Sequence, residues 1–207
     1  MLYERWGKRA LDVAGAAALL LLSAPLLLAA ALAVWLAMGR PALFRQVRAG
    51  QGGRPFTLLK LRSMRAGGGD DAARLTRLGL LLRATAIDEL PQLWNVLRGE
   101  MSLVGPRPLP MEYVALYSPR EAARLHVRPG LCGLAQAAGR NAVPWALRLR
   151  LDADYARRVS LSRDLRIMLG CAAVLLRGRG VAAAGHATMP RFLGAGITPP
   201  STPPTPR

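Results

Sequence analysis

The chain has 207 residues, enough for one domain with a core of its own plus appendages, and carries a net charge of +17 from 29 basic against 12 acidic residues. Two cysteines, Cys132 and Cys171, and two isolated histidines, His126 and His186, exclude a disulfide framework and a zinc cluster. Of the cations 27 are Arg and only Lys8 and Lys60 are Lys, a surface suited to nucleic acid, anionic headgroups or phosphorylated substrates, or to arginine-favouring codon usage with no partner at all.

The first element is apolar. Residues 13–38, VAGAAALLLLSAPLLLAAALAVWLAM, hold no charge. As one straight helix they would run roughly 39 Å, against roughly 30 Å of bilayer hydrocarbon, and they are too long for a cleaved leader. Two readings stay open on the residues alone. One is a single span. The other is a helix that enters the membrane, bends and leaves on the same side. Pro25 stands near the midpoint and removes a helical hydrogen bond, with Ser23 close by to satisfy freed backbone groups. Each arm would be only roughly 18–20 Å. Arg5, Lys8 and Arg9 precede the segment and Arg40, Arg45 and Arg48 follow it, so the positive-inside tendency draws both flanks to one side.

LFRQVRAGQGGRPFTLLKLRSM then predicts two short strands joined by the Gly-rich turn 50–53. Alternation puts Phe56, Leu58, Lys60 and Arg62 on one face, where the two cations either clasp an anion or protect an exposed edge. A flexible GGGDD link leads into a basic amphipathic helix with Leu75, Leu78 and Leu82 on one side. SPRE, from Ser118, is a capping box with Pro at the first helical position. RPGLCGLAQAAGRN, from Arg128, reads as loop, and helices are predicted over 145–159 and 163–176. Residues 185–207, ending in ITPPSTPPTPR, read as a Pro-rich, disordered tail.

The sharpest signal is TAIDELPQLWNVLRGEMSLVGPRP, from Thr85. Leu90, Leu93, Trp94 and Leu97 follow helical spacing, so a helix begins near Asp88, with Pro91 tolerated in its first turn. The structural reading makes Asp88 the N-cap and Glu89 a first-turn acid facing the dipole. The chemical reading uses the same place differently. An ionised Asp can attack phosphorus and form an acyl-phosphate. A neighbouring Glu can hold a Mg²⁺ that bridges diphosphate oxygens. Arg107, fixed between two prolines, can present its guanidinium to a phosphate.

Those blocks, with RALDV, the Pro-bearing apolar segment, TRLGLLLRA and LDADY…SLSRDL, resemble in order the bacterial sugar transferases, the monotopic phosphoglycosyl transferases, over residues 3–176. The resemblance implies an α+β fold, mostly helical with a small β-hairpin, anchored by an N-terminal re-entrant helix (1–39). A catalytic domain with interfacial amphipathic helices (40–184) would follow, at the cytoplasmic face of the bacterial inner membrane, and then the tail. It implies transfer of a sugar-1-phosphate from a UDP-sugar to polyprenyl phosphate, with UMP released, Mg²⁺ as cofactor and anionic lipids as further partners. By position, Asp88 matches the nucleophile, Glu89 its Mg²⁺-associated acidic partner, and Arg83 and Lys60 supporting catalytic residues. Arg62, Arg107 and Arg140 would contact substrate phosphates, and Ser23 and Pro25 match the break in the membrane helix. Departures such as Ala86, Ile87, Ser63 and Cys132 leave every charged position in place. The rival readings are a membrane-tethered nucleic-acid binder, which 11 aromatics and no binding motif disfavour, and a catalytically idle polysaccharide-assembly protein.

Overall fold

A computed structural model describes residues 3–68, 71–178 and 189–194. The chain is mostly helical, with two small two-stranded sheets. Helix α1, Lys8–Met38, is followed by the antiparallel hairpin β1, Leu43–Ala49, and β2, Pro55–Leu61. Short helices α2, Asp71–Arg74, α3, Arg77–Thr85, and α4, Gln92–Leu97, come next. Strand β3, Ser102–Val104, pairs in parallel with β4, Gly130–Cys132, across the one-turn helix α5, Pro119–Ala122. Helices α6, Leu134–Ala137, α7, Trp145–Arg157, and α8, Leu161–Leu176, complete the described body.

Helix α1 is 31 residues long, roughly 46 Å, and its helical assignment continues through Pro25. Ser23 Oγ donates to Leu19 O at 2.6 Å, an ordinary back-bond to the preceding turn. It therefore does not serve the carbonyl of Leu21, the one left without a donor by Pro25, as the sequence suggested. One stripe of α1 packs on the rest of the chain and the other leaves Leu21, Leu22, Leu28 and Leu36 exposed. Near its start, Ala16 and Leu20 join Phe56, Leu58, Leu93 and Val96; near its end, Ala30 and Val34 join Leu61 and Leu82. Polar ties reinforce the first contact. Lys8 Nζ lies 2.7 Å from Asp164 Oδ2 on α8, and Asp12 accepts from Ser102 Oγ and Leu103 N, both at 2.9 Å. Among the described residues α1 is the one helix long and apolar enough to cross a bilayer, by length and composition.

The hairpin follows its predicted alternation, with Gln46 opposite Leu58 and Phe44 opposite Lys60. The outer edge of β2 is not left bare. Buried Asn95 of α4 accepts from Leu59 N at 3.1 Å and donates to Thr57 O at 2.8 Å, which fixes the register of α4 on the strand. Gly79 lets α3 approach the end of β2, since a Cβ there would come within 1.8 Å of Ser63 O. Ser118 and Glu121 form the anticipated capping box, and Ser160 caps α8.

Three expectations are corrected. The segment from Arg128, read as loop, contains β4 and α6, because Gly105 and Gly130 permit two backbones to touch where a Cβ would not fit. The amphipathic helix starts at Arg77, after the N-cap Thr76, so Leu75 lies outside it in a bridge to Met64. Most of the tail, 185–188 and 195–207, lies outside the described residues, as does His186. Its part at 189–194 packs instead of hanging free: Phe192 is buried beside Tyr113 and Trp145, and Trp145 Nε1 donates to Pro190 O at 2.9 Å.

Candidate active site

Asp88 does not cap α4. Ala86 takes the left-handed conformation, φ 56°, and reverses the chain out of α3 into a 3-10 turn, Ile87–Glu89, before α4 begins. That turn buries the Asp88 side chain instead of leaving it on backbone N–H groups, so the N-cap reading fails. Lys60, near the end of β2, brings Nζ to 2.8 Å from Asp88 Oδ2. Burial pushes the Asp88 carboxyl above its usual range, and the Lys60 ammonium pulls against that shift.

Glu89 faces the other way and is gripped by Arg107, whose Nη2 and Nη1 donate to its two carboxylate oxygens at 2.6 and 3.3 Å. Burial opposes its ionisation, but Arg107 and Lys60 outweigh burial and hold the carboxyl down at about 2. The two adjacent acids thus bond to different cations, as the step of about 120° between neighbouring residues of a 3-10 turn allows. Arg107 is itself steadied from behind. Arg124, buried in an ion pair with Asp152 at 2.8 Å, donates to Arg107 O at 2.6 Å.

Lys60, Asp88, Glu89 and Arg107 line one cavity of about 1350 Å³. Its wall carries Lys60 and nine arginines against two acids, Asp88 and Glu89, so it suits a polyanionic occupant. Arg83 and Arg140 are there as expected: Arg83 Nε donates to Ser63 Oγ at 2.9 Å, and Arg140 Nη2 donates to Arg83 O at 2.9 Å. Arg62 lines the cavity too, and its two Nη atoms reach the end of a helix. It donates to the carbonyls of Met38, Gly39 and Arg40, capping the end of α1, where helical carbonyls have no partner. Ser23 and Pro25 stand apart from the cavity, on α1.

Among the cavity residues that escaped the sequence reading are Arg48 of β1, Arg148 of α7 and Tyr113. In an arginine-rich chain no spacing separates a cavity arginine from a solvated one, and Arg148 joins the wall only because α7 folds across the Gly-Arg-Asn turn. Among the described residues no three His, Cys, Asp or Glu side chains gather as a metal cage. Two carboxylates on a cation-rich wall nonetheless fit a Mg²⁺ that draws its remaining ligands from diphosphate and water. Cys132 and Cys171 are free thiols.

The bacterial sugar transferase family model matches residues 3–178. The chain is 43% identical over 195 residues to an uncharacterized sugar transferase, EpsL, of Bacillus subtilis (strain 168), covering 91% of this chain and 96% of that protein. It is 52% identical over 180 residues to a UDP-glucose:undecaprenyl-phosphate glucose-1-phosphate transferase of Caulobacter vibrioides, covering 78% of this chain and 67% of the other. The exopolysaccharide production protein ExoY of Rhizobium meliloti is 36% identical over 84% of this chain and 87% of its own. A match running almost end to end, with relatives of similar length at these identities, places the chain in the bacterial sugar transferase family.

Proposed function

We propose that this chain is a phosphoglycosyl transferase that moves a sugar-1-phosphate from a UDP-sugar to polyprenyl phosphate (undecaprenyl phosphate), releasing UMP, as a first membrane step of surface glycan assembly. The observation that carries the reading is the buried Asp88 carboxylate held 2.8 Å from Lys60 in a cation-lined cavity. Relatives named as undecaprenyl-phosphate glucose transferases supply the substrate class.

The reaction has two displacements at one phosphorus. An Asp88 oxygen attacks the sugar-bearing phosphorus, the bridging bond to the nucleotide phosphate breaks, and UMP departs. The lipid phosphate then attacks the same phosphorus. Its bond to Asp88 breaks, and the carboxylate returns with a lipid diphosphate-sugar formed. Lys60 favours the ionised, attacking form of Asp88 against the cost of burial. Arg107, aligned by Glu89 and Arg124, stands ready to meet charge developing on the transferred group. Mg²⁺, held through Glu89 or Asp88, would supply the neutralising charge between donor phosphates.

The protein would work at the cytoplasmic face of the inner membrane, anchored by α1 as a re-entrant helix. Both ends of α1 pack on the same polar body, and its outer face offers leucines to lipid; both arrangements favour that topology over a crossing. Detergent-solubilised protein incubated with UDP-sugars, Mg²⁺ and polyprenyl phosphate should release UMP with one or more donors, and Asp88→Asn should release none. UMP release by Asp88→Asn at the wild-type rate would refute covalent catalysis at this residue. Opposite-side labelling of single cysteines at positions 3 and 45 would refute the re-entrant anchor.

A further inference from the structure

The segment 189–194 lies outside the residues matched by the family model, which end at 178, yet it reaches the reaction cavity. Four consecutive residues hold it there. Met189 lines the cavity, and its Sδ accepts from Arg148 Nη2 at 3.6 Å. Pro190 O accepts from Trp145 Nε1 at 2.9 Å, and Arg191 Nη2 pairs with Glu112 Oε2 at 3.0 Å. Phe192 N donates to Tyr113 Oη at 3.1 Å. The Phe192 side chain is only 4% exposed, with its ring centroid 5.6 Å from that of Tyr113, 6.2 Å from Tyr117 and 5.3 Å from Trp145. Tyr113 and Trp145 belong both to this aromatic slot and to the cavity wall.

With the segment in place the cavity still measures about 1350 Å³, above the roughly 300–1,000 Å³ of ordinary small-ligand sites. The segment therefore walls the cavity and does not plug it. Residues 189–194 form no helix or strand. One buried aromatic ring and two hydrogen bonds to neutral groups are set against the backbone entropy of ordering them, and the two sides are of the same order. The exposed Arg191–Glu112 pair adds little. Attachment so nearly balanced is reversible, and an occupant that touches the wall shifts it.

We propose that residues 189–192 are a detachable wall of the cavity, a strap latched by Phe192 that closes on the sugar nucleotide and opens for nucleotide exchange. Phe192 is then a positioning residue. Its ring acts by holding Met189 and the Tyr113–Trp145 face against the occupant. The inference rests on the proposed UDP-sugar donor and adds residues, outside the family match, that retain it.

Trypsin can cut after the exposed Arg191 only when the latch is open, because the Phe192 N–H and ring are both engaged. Release of peptide 192–207 from full-length protein in detergent, read by mass spectrometry, therefore follows the open population. UDP, the part common to all such donors, should slow that release at least about threefold when saturating. Phe192→Ala should speed it at least about threefold and abolish the effect of UDP. Phe192→Leu, which keeps an apolar side chain, should fall between. In the UMP-release assay, Phe192→Ala should raise KM for the accepted UDP-sugar at least about threefold with kcat nearly unchanged, the sign of lost donor retention. Wild-type release indifferent to UDP would overturn the strap, as would wild-type cleavage and KM in Phe192→Ala, or a fall in kcat with KM unmoved. Circular dichroism checks each variant, and a folding defect in one leaves the wild-type UDP arm decisive. Should wild-type protein release no UMP with any donor, the proposed reaction fails, while protection of Arg191 by UDP still decides the strap.

Discussion

Replacing Arg107 with methionine keeps the length of the side chain and removes the fork that grips Glu89. In the native protein this fork, with Lys60, holds the Glu89 carboxyl at about 2 against an ordinary 4.5. A difference of that size is worth about 3 kcal/mol of stability. The sign follows from the direction of the shift: a depressed carboxyl contributes in full above 4.5, and the contribution is lost as pH falls from there toward 2. In Arg107→Met, burial dominates and Glu89 is driven toward protonation, so the variant is penalised most at neutral pH. Urea unfolding in detergent, followed by tryptophan fluorescence, should show it less stable by about 3 kcal/mol at pH 7. The gap should narrow as pH is lowered from about 4.5 toward 3. A gap of the same size at pH 7 and pH 3 would refute the ion-pair account and leave only lost packing.

Lys60→Met removes the cation that opposes the burial of Asp88, so the carboxyl rises further and less of it is ionised at neutral pH. UMP release should fall by about a hundredfold or more and partly recover as pH is raised; a pH-independent loss would sink this role. Asn95→Leu strips two partners from the edge of β2 and should cost about 2–3 kcal/mol in urea unfolding; wild-type stability would show that the edge is satisfied in another way. Gly79→Ala drives a methyl into Ser63 O and should destabilise by about 2 kcal/mol or more while moving α3 and Arg83 off the cavity. Unchanged stability and UMP release would contradict that contact.

Local chemistry made some of the fold readable in the sequence. The hairpin announces itself by period-two alternation around a Gly-rich turn, and the capping box of Ser118 and Glu121 by two residues at fixed spacing. Asp88 and Lys60 were legible as chemistry only through the family resemblance, since local spacing equally allowed an N-cap and an exposed edge. The parallel pair β3–β4 is three residues on each side and depends on two glycines touching 25 positions apart, which leaves no periodic trace. The contact of Arg62 with the end of α1 was not legible either, because strand alternation fixes a side chain's face but not its partners. Arg48 and Arg148 are indistinguishable in sequence from two dozen other arginines. Residues 189–194 were hidden by proline-rich composition, which says nothing of a single Phe192 finding an aromatic slot.

Ala31 of α1 and the Pro41–Ala42 connection that follows it are themselves part of the cavity wall, and Arg62 clamps that end of the helix in place. A load on the outer leucines of α1 would therefore reach the cavity wall through the helix itself. Acyl-chain length and lateral pressure would then become inputs to turnover. Reconstitution in bilayers of graded thickness should tune the enzyme with every polar group left untouched.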